Sequence, residues 1–163
     1  MLGSAKPWKP TSIRIRFGES VSEACSQNDG GKRRKGYSTN DHAMRDMIMQ
    51  IPSDGQIEIG STGFRFIRID CLSPNTTMYL KEAPAIFRYR NIPYLGSFRC
   101  NDQRLNDIWM TGAYTVHLNM QEYLWDGIKR DRLIWLGDMH PEVATIMSVF
   151  GHNEVVNLSL IHI

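Results

Sequence analysis

The sequence predicts an antiparallel β-sandwich followed by the beginning of an α-helical domain. Three observations carry that prediction. Between about residues 11 and 95, apolar and polar residues alternate in short runs. Turn signals separate those runs, at Asn28-Asp29-Gly30-Gly31, Pro52-Ser53-Asp54-Gly55 and Ser73-Pro74-Asn75. From Gly96 onward the apolar spacing becomes helical.

The strands follow in order. "SIRIRFGES" sets Ile13, Ile15 and Phe17 against Arg14 and Arg16, the pattern of a half-buried strand. "GQIEIGSTGFRFIRID" repeats the pattern twice, with Ile57 and Ile59 as one set and Phe64 and Phe66 opening a second. "MYLKEAPAIFRYRNI" predicts one or two more strands, with Pro84 at an edge or bend because proline cannot donate to a ladder.

The helices come next. Asn101 or Asp102 suits an N-cap, and Leu105, Ile108, Trp109, Gly112, Val116 and Met120 follow at helical spacing. A helix is expected over about 102–122. A loop follows, and a second helix is expected from about Pro141 to Phe150. Pro141 suits a first turn, Glu142 suits the positive end of the helix dipole, and Gly151 suits the C-terminal cap. Two helices do not make a stable domain alone, so this unit reads as cut short. The domain reading is 1–95 for the β unit, expected to be N-terminally truncated, and 96–157 for the helical start. Residues 158–163, "LSLIHI", match what the end of a common sequencing-library transposon adaptor would encode. They are read as a non-native tail, against the simpler alternative of a short apolar strand.

Composition narrows the function. Of 163 residues 42% are hydrophobic and 22% charged, as in ordinary globular proteins. A net charge of +2 gives no reason to expect a nucleic-acid or membrane partner. The basic run "GKRRKG", residues 31–36, has no interleaved aromatics and reads as a solvated hairpin tip. "STNDHAMRD", residues 38–46, is a polar loop without assignable chemistry. Cys25, Cys71 and Cys100 are odd in number and far apart, which fits neither a metal site nor a full disulfide set. His42, His117, His140 and His152 form no metal-binding pair and read as structural, with His140 adjoining the acidic loop. No metal and no cofactor is expected.

The chemistry concentrates in "DGIKRDRLIWLGD", residues 126–138. Asp126, Asp131 and Asp138 are the kind of carboxylates that glycoside hydrolysis needs. For one of them to act as an acid near neutral pH, burial or a second carboxylate must raise it. Trp125 and Trp135 supply an apolar wall and flat faces for a sugar ring. Lys129, Arg130 and Arg132 donate to hydroxyls and keep the other carboxylates ionised. Residue types alone fit surface ion pairs equally well, with Asp138 as a simple N-cap.

The longer stretch "GSFRCNDQRLNDIWMTGAYTVHLNMQEYLWDGIKRDRLIWLGD" resembles the start of the catalytic domain of bacterial α-L-rhamnosidases, glycoside hydrolase family 78. The matching positions are Phe98, Asp102, Leu105, Ile108, Trp109, Asp126, Arg130, Asp131, Trp135, Gly137 and Asp138, with carboxylate spacings of five and seven. The resemblance implies a jelly-roll-like antiparallel sandwich followed by the first helices of an incomplete (α/α)6 toroid. It implies inverting hydrolysis of terminal α-L-rhamnosyl residues on polysaccharides or glycosides. Asp131 would be the general acid, Asp126 and Asp138 would orient sugar hydroxyls, Trp135 would pack on the ring, and Arg130 would hold a carboxylate or hydroxyl. The family's general base lies far downstream and has no match here, so the 163-residue chain is expected to be inactive by itself. The partner implied is a rhamnosyl-containing carbohydrate, and a periplasmic or secreted enzyme is implied too.

One position departs from the family. Where it usually has glutamate, this chain has Asp131, one methylene shorter. That shift of the proton costs about a hundredfold in rate unless the loop moves inward. Two other readings stay open: a non-catalytic carbohydrate-binding sandwich module, and another (α/α)6 enzyme such as a uronide hydrolase or lyase.

Overall fold

The computed structural model describes residues 2–4, 10–26, 46–52, 54–129 and 132–162. The chain divides into two compact units, Met1–Ala85 and Ile86–Ile163. The basic run 31–36, the first turn signal and most of the polar loop 38–46 lie outside the described residues.

The first unit is built on two small antiparallel sheets. Strand β1 (Leu2–Ser4) pairs with β5 (Met78–Leu80). Strand β2 (Thr11–Gly18) lies between β3 (Asp46–Ile51) and β4 (Phe66–Cys71). The alternation in β2 places Ile13, Ile15 and Phe17 in the core, where Ile13 and Ile51 are fully buried with Met49, Ile57, Ile69 and Met78 packed against them. Its arginine face is covered more than a half-buried strand implies. A short helix, α1 (Val21–Cys25), follows β2 immediately, and Arg16 is buried with Nη1 donating to the Ser26 carbonyl at 3.0 Å. Arg14 grips Asp46 through two bonds of 2.8 and 2.6 Å. Asp70 accepts from Arg16 at 2.5 Å and from Arg68 at 2.8 Å.

One expected strand does not form, and the stretch from Met78 gives one strand where one or two are expected. The run around Ile57 and Ile59 stays outside the sheets, although Ile57 packs on the core. Gly60 (φ +130°) and Ser61 (φ +72°) turn the backbone there, and a left-handed residue cannot extend a ladder. After Leu80 no strand follows, and Pro84 removes a ladder donor from that stretch.

The second unit is helical. Helix α2 (Gln103–Asn119) starts where expected, with the Asp102 side chain accepting from the Arg104 N–H. It ends before Glu122. Helix α3 (Leu136–Val149) starts a turn earlier than Pro141, with Trp135 rather than Asp138 at its N-cap. Gly151 sits just past its end at φ +75°, the left-handed position that favours glycine. Helix α4 (Glu154–Ile161) takes in Leu158–Ile161, which are helical, not a strand. The core joins Ala113 and Met120 to Met139, Ile146, Val149, Phe150 and Val155, with Trp109 and Val116 packed on it. Leu105 and Ile108 share the helical spacing but are exposed.

Gly96 has a physical reason to be glycine. The N–H groups of Leu95 and Gly96 donate to the Val149 carbonyl at 2.7 and 2.9 Å, satisfying an orphan acceptor at the end of α3. A Cβ at residue 96 would fall on the Ser148 carbonyl oxygen.

Candidate functional site

The acidic loop hangs between the C-terminus of α2 and the N-terminus of α3. The Asn119 carbonyl, in the last turn of α2, accepts from the N–H groups of Gln121 (2.9 Å) and Trp125 (3.0 Å). Asp126 then closes the loop. Its N–H donates to the Leu133 carbonyl at 3.0 Å, and its Oδ1 accepts from the Leu133 N–H at 3.0 Å. Arg130 and Asp131 lie inside that closure but outside the described residues.

The two indoles behave differently. The Arg132 guanidinium sits 5.8 Å from the Trp125 ring centre, within cation–π range. Arg132 itself is left-handed at φ +50°, a conformation uncommon for a side chain with Cβ. Trp135 is about half exposed, leaving a ring face open for stacking. Its carbonyl accepts from the Met139 N–H at 2.9 Å, so its backbone is fixed while its side chain is accessible.

Asp138 is exposed in the first turn of α3, where the helix dipole favours a negative charge. One turn further on the same helix is Glu142, which is 9% exposed. Its Oε1 accepts from Asn119 Nδ2 at 3.4 Å, while its Oε2 is buried and has no hydrogen-bond partner among the described residues. Burial pushes its carboxyl up to about 7; the Asn119 bond opposes this, and the charges of Asp138 and Asp126 add to it. A carboxylic acid poised there matches the pattern of active-site carboxyls. The site therefore brings together Asp126, Asp138 and Glu142, with Trp135 open beside them in sequence.

In sequence Glu142 follows the acidic run and suits the helix dipole, and nothing there marks Asn119. A signal was present. Met139, Glu142, Ile146 and Val149 are spaced as one buried helical stripe, and an acid occupies one place in it. Polar residues at core positions are where function or strain is to be sought.

The histidines fall elsewhere. His117 is buried, its Nε2 2.6 Å from the Arg90 carbonyl and its Nδ1 3.3 Å from the Tyr94 hydroxyl, against Tyr94 and Phe150. It is a packing residue. His140 is exposed. All three cysteines are free thiols.

A helical hairpin whose connection carries carboxylates and an open indole is the kind of element from which carbohydrate hydrolases build a sugar site. The comparisons with known proteins agree with that class. Residues 93–162 match the bacterial alpha-L-rhamnosidase 6 hairpin glycosidase domain, so the resemblance read around Phe98, Trp109, Asp126 and Asp138 is borne out. A solved structure, a rhamnosidase from Klebsiella oxytoca with rhamnose bound, matches 93% of this chain with a TM-score of 0.74 and 21% identity. This chain spans 30% of the length of that one. No curated protein sequence matches the chain.

Proposed function

We propose that the chain is the acid-bearing part of an inverting α-L-rhamnosidase. In this reading the β unit is the edge of a jelly-roll-like antiparallel sandwich, and α2 to α4 are the opening helices of an (α/α)6 toroid. The observation that carries the reading is the family match over residues 93–162, which spans the whole loop 126–138. The rhamnose in the Klebsiella structure supports a rhamnosyl substrate.

Asp131 protonates the glycosidic oxygen as the bond to the leaving group breaks. Asp126 and Asp138, as carboxylates, accept hydrogen bonds from sugar hydroxyls. Trp135 stacks on the apolar face of the ring, and Arg130 holds a hydroxyl or a neighbouring carboxylate. An inverting reaction needs a second carboxylate on the opposite face to activate water. That base comes from the part of the barrel beyond residues 93–162.

The test uses the product of the complete open reading frame and an aryl α-L-rhamnoside. Rhamnose release is expected, with the product's anomeric configuration inverted by NMR. Asp131→Asn is expected to lower kcat by about a thousandfold or more with Tm unchanged. An unchanged rate in that variant removes Asp131 from the acid role. Release of an unsaturated uronide instead of rhamnose would favour a lyase.

A further inference from the structure

We propose that Glu142 is a positioning residue of this site, acting through Asn119 on the loop that Asp126 and Leu133 close. The proposal rests on the reading of that loop as a sugar pocket. Four observations carry it. Glu142 replaces an apolar residue in the stripe of Met139, Ile146 and Val149. It is nine-tenths buried, and its Oε2 finds no partner among the described residues. Its hydrogen bond among the described residues goes to Asn119, itself buried at the end of α2. The Asn119 carbonyl is the anchor of Gln121 and Trp125, the residues that lead into Asp126.

These contacts form one path. The Glu142 carboxyl holds the Asn119 amide, the Asn119 backbone holds Trp125, and Asp126 next in sequence clamps Leu133 across Arg130 and Asp131. A displacement of Asn119 therefore reaches the acid loop within a few bonds. Misplacement of a catalytic group by about 1 Å costs about a hundredfold.

The path is sensitive to charge. Among the described residues, the groups acting on Glu142 are Asn119 from α2, Asp126 from the loop and Asp138 one turn earlier on α3. In its neutral form Glu142 adds no charge to a region that already holds two carboxylates. In its ionised form it is repelled by both, and its buried Oε2 demands a partner that the described residues do not supply. Ionisation strengthens the pull on Asn119 while it draws the buried carboxylate toward water and away from Asp126 and Asp138, and so shifts the seam that holds the loop.

The experiment measures kcat/KM on the aryl rhamnoside from about pH 5 to about pH 9 with the complete open reading frame's product. Glu142→Gln keeps the acceptor for Asn119 and cannot ionise. It is expected to keep kcat/KM within about threefold of wild type near pH 6 and to move the basic limb up by about one unit or more. Glu142→Met, which has the right size but no acceptor, is expected to lose about tenfold or more across the range. A basic limb that stays in place in Glu142→Gln overturns the proposal, as does Glu142→Met with the wild-type rate. A purely structural residue would change Tm and leave the limb where it was. If wild type releases no rhamnose, the sugar reading fails, and the coupling is read on the 163-residue chain by NMR. The Trp125 amide and Asp126 carboxyl are then expected to shift as Glu142 ionises and to stop doing so in Glu142→Gln. Shifts that persist in that variant, or never occur, refute the coupling.

Discussion

At the scale of single residues, the loop shows how one side chain does two jobs. Asp126 bonds Leu133 through both its backbone N–H and its Oδ1, so one carboxylate oxygen is committed to the fold of the loop. Asp126→Ala removes the side-chain half of the clamp and the carboxylate together. It is expected to reduce rhamnose release about a hundredfold or more, while Tm falls by only a few degrees because Asp126 is itself only partly buried and outside the apolar core. Steady-state kinetics and thermal melts on the same preparation separate the two effects. Much at this scale was legible in the sequence. Carboxylates at the spacing of Asp126, Asp131 and Asp138 beside Trp135 pointed to a sugar site. Glu142 was not read that way, because an acid near a helix start has an ordinary explanation in the dipole. Its burial, and an Oε2 without a partner among the described residues, set it apart.

At the scale of elements, local chemistry fixes the ends of the helices unevenly. Asp102 caps α2 with a bond of 2.9 Å to the Arg104 N–H. Asp102→Ala is expected to cost about 1 kcal/mol, which calorimetry would register as a drop in Tm of several degrees. Asp102 and Gly151 were readable because capping depends on neighbours in sequence. The start of α3 was not. Proline usually marks a first turn, and Pro141 hid the turn of Leu136 to His140 that precedes it. The β runs misled for a related reason. Alternation at Ile57 and Ile59 suits a strand, but Gly60 and Ser61 adopt left-handed backbone that no alternation signals. Likewise the cover over Arg16 comes from α1, a helix too short to show a period.

At the scale of the whole molecule, two carboxyls pull the pH dependence of stability in opposite directions. Burial works to raise Asp70, but the bonds from Arg68 and Arg16 outweigh it and hold its carboxyl below the usual range. A depressed acid stabilises the fold above its unfolded value of about 3.8, and that contribution is lost as pH falls. Glu142 is the reverse case. Its folded value is raised from 4.5 to about 7, so the folded state binds the proton more tightly than the unfolded chain. Its contribution is fully present below 4.5 and is lost as pH rises through about 7. The loss is on the order of 2 kcal/mol once solvent screening is allowed for. Melts followed by tryptophan fluorescence are expected to show Tm falling from about pH 4.5 to about pH 7 in wild type and flat in Glu142→Gln over the same interval. An equal fall in both would place the titrating group elsewhere. Three of the four tryptophans, Trp109, Trp125 and Trp135, lie in the helical unit and report on it directly.

Pro141 gives α3 a joint. Proline has no N–H, so the rung that would run from residue 141 to the carbonyl of Gly137 does not exist. The turn that bears Asp138 is thus tied to the following stripe of Ile146 and Val149 by one backbone bond fewer than a continuous helix would have. Gly137 adds no side chain, and a Cβ there would meet open space, so the turn is seated in the core through Met139. Local opening is easiest where bonds and contacts are fewest. The front of α3 therefore relies on Met139, more than on its backbone ladder, for its hold on the core, and Glu142 stands just beyond the missing rung.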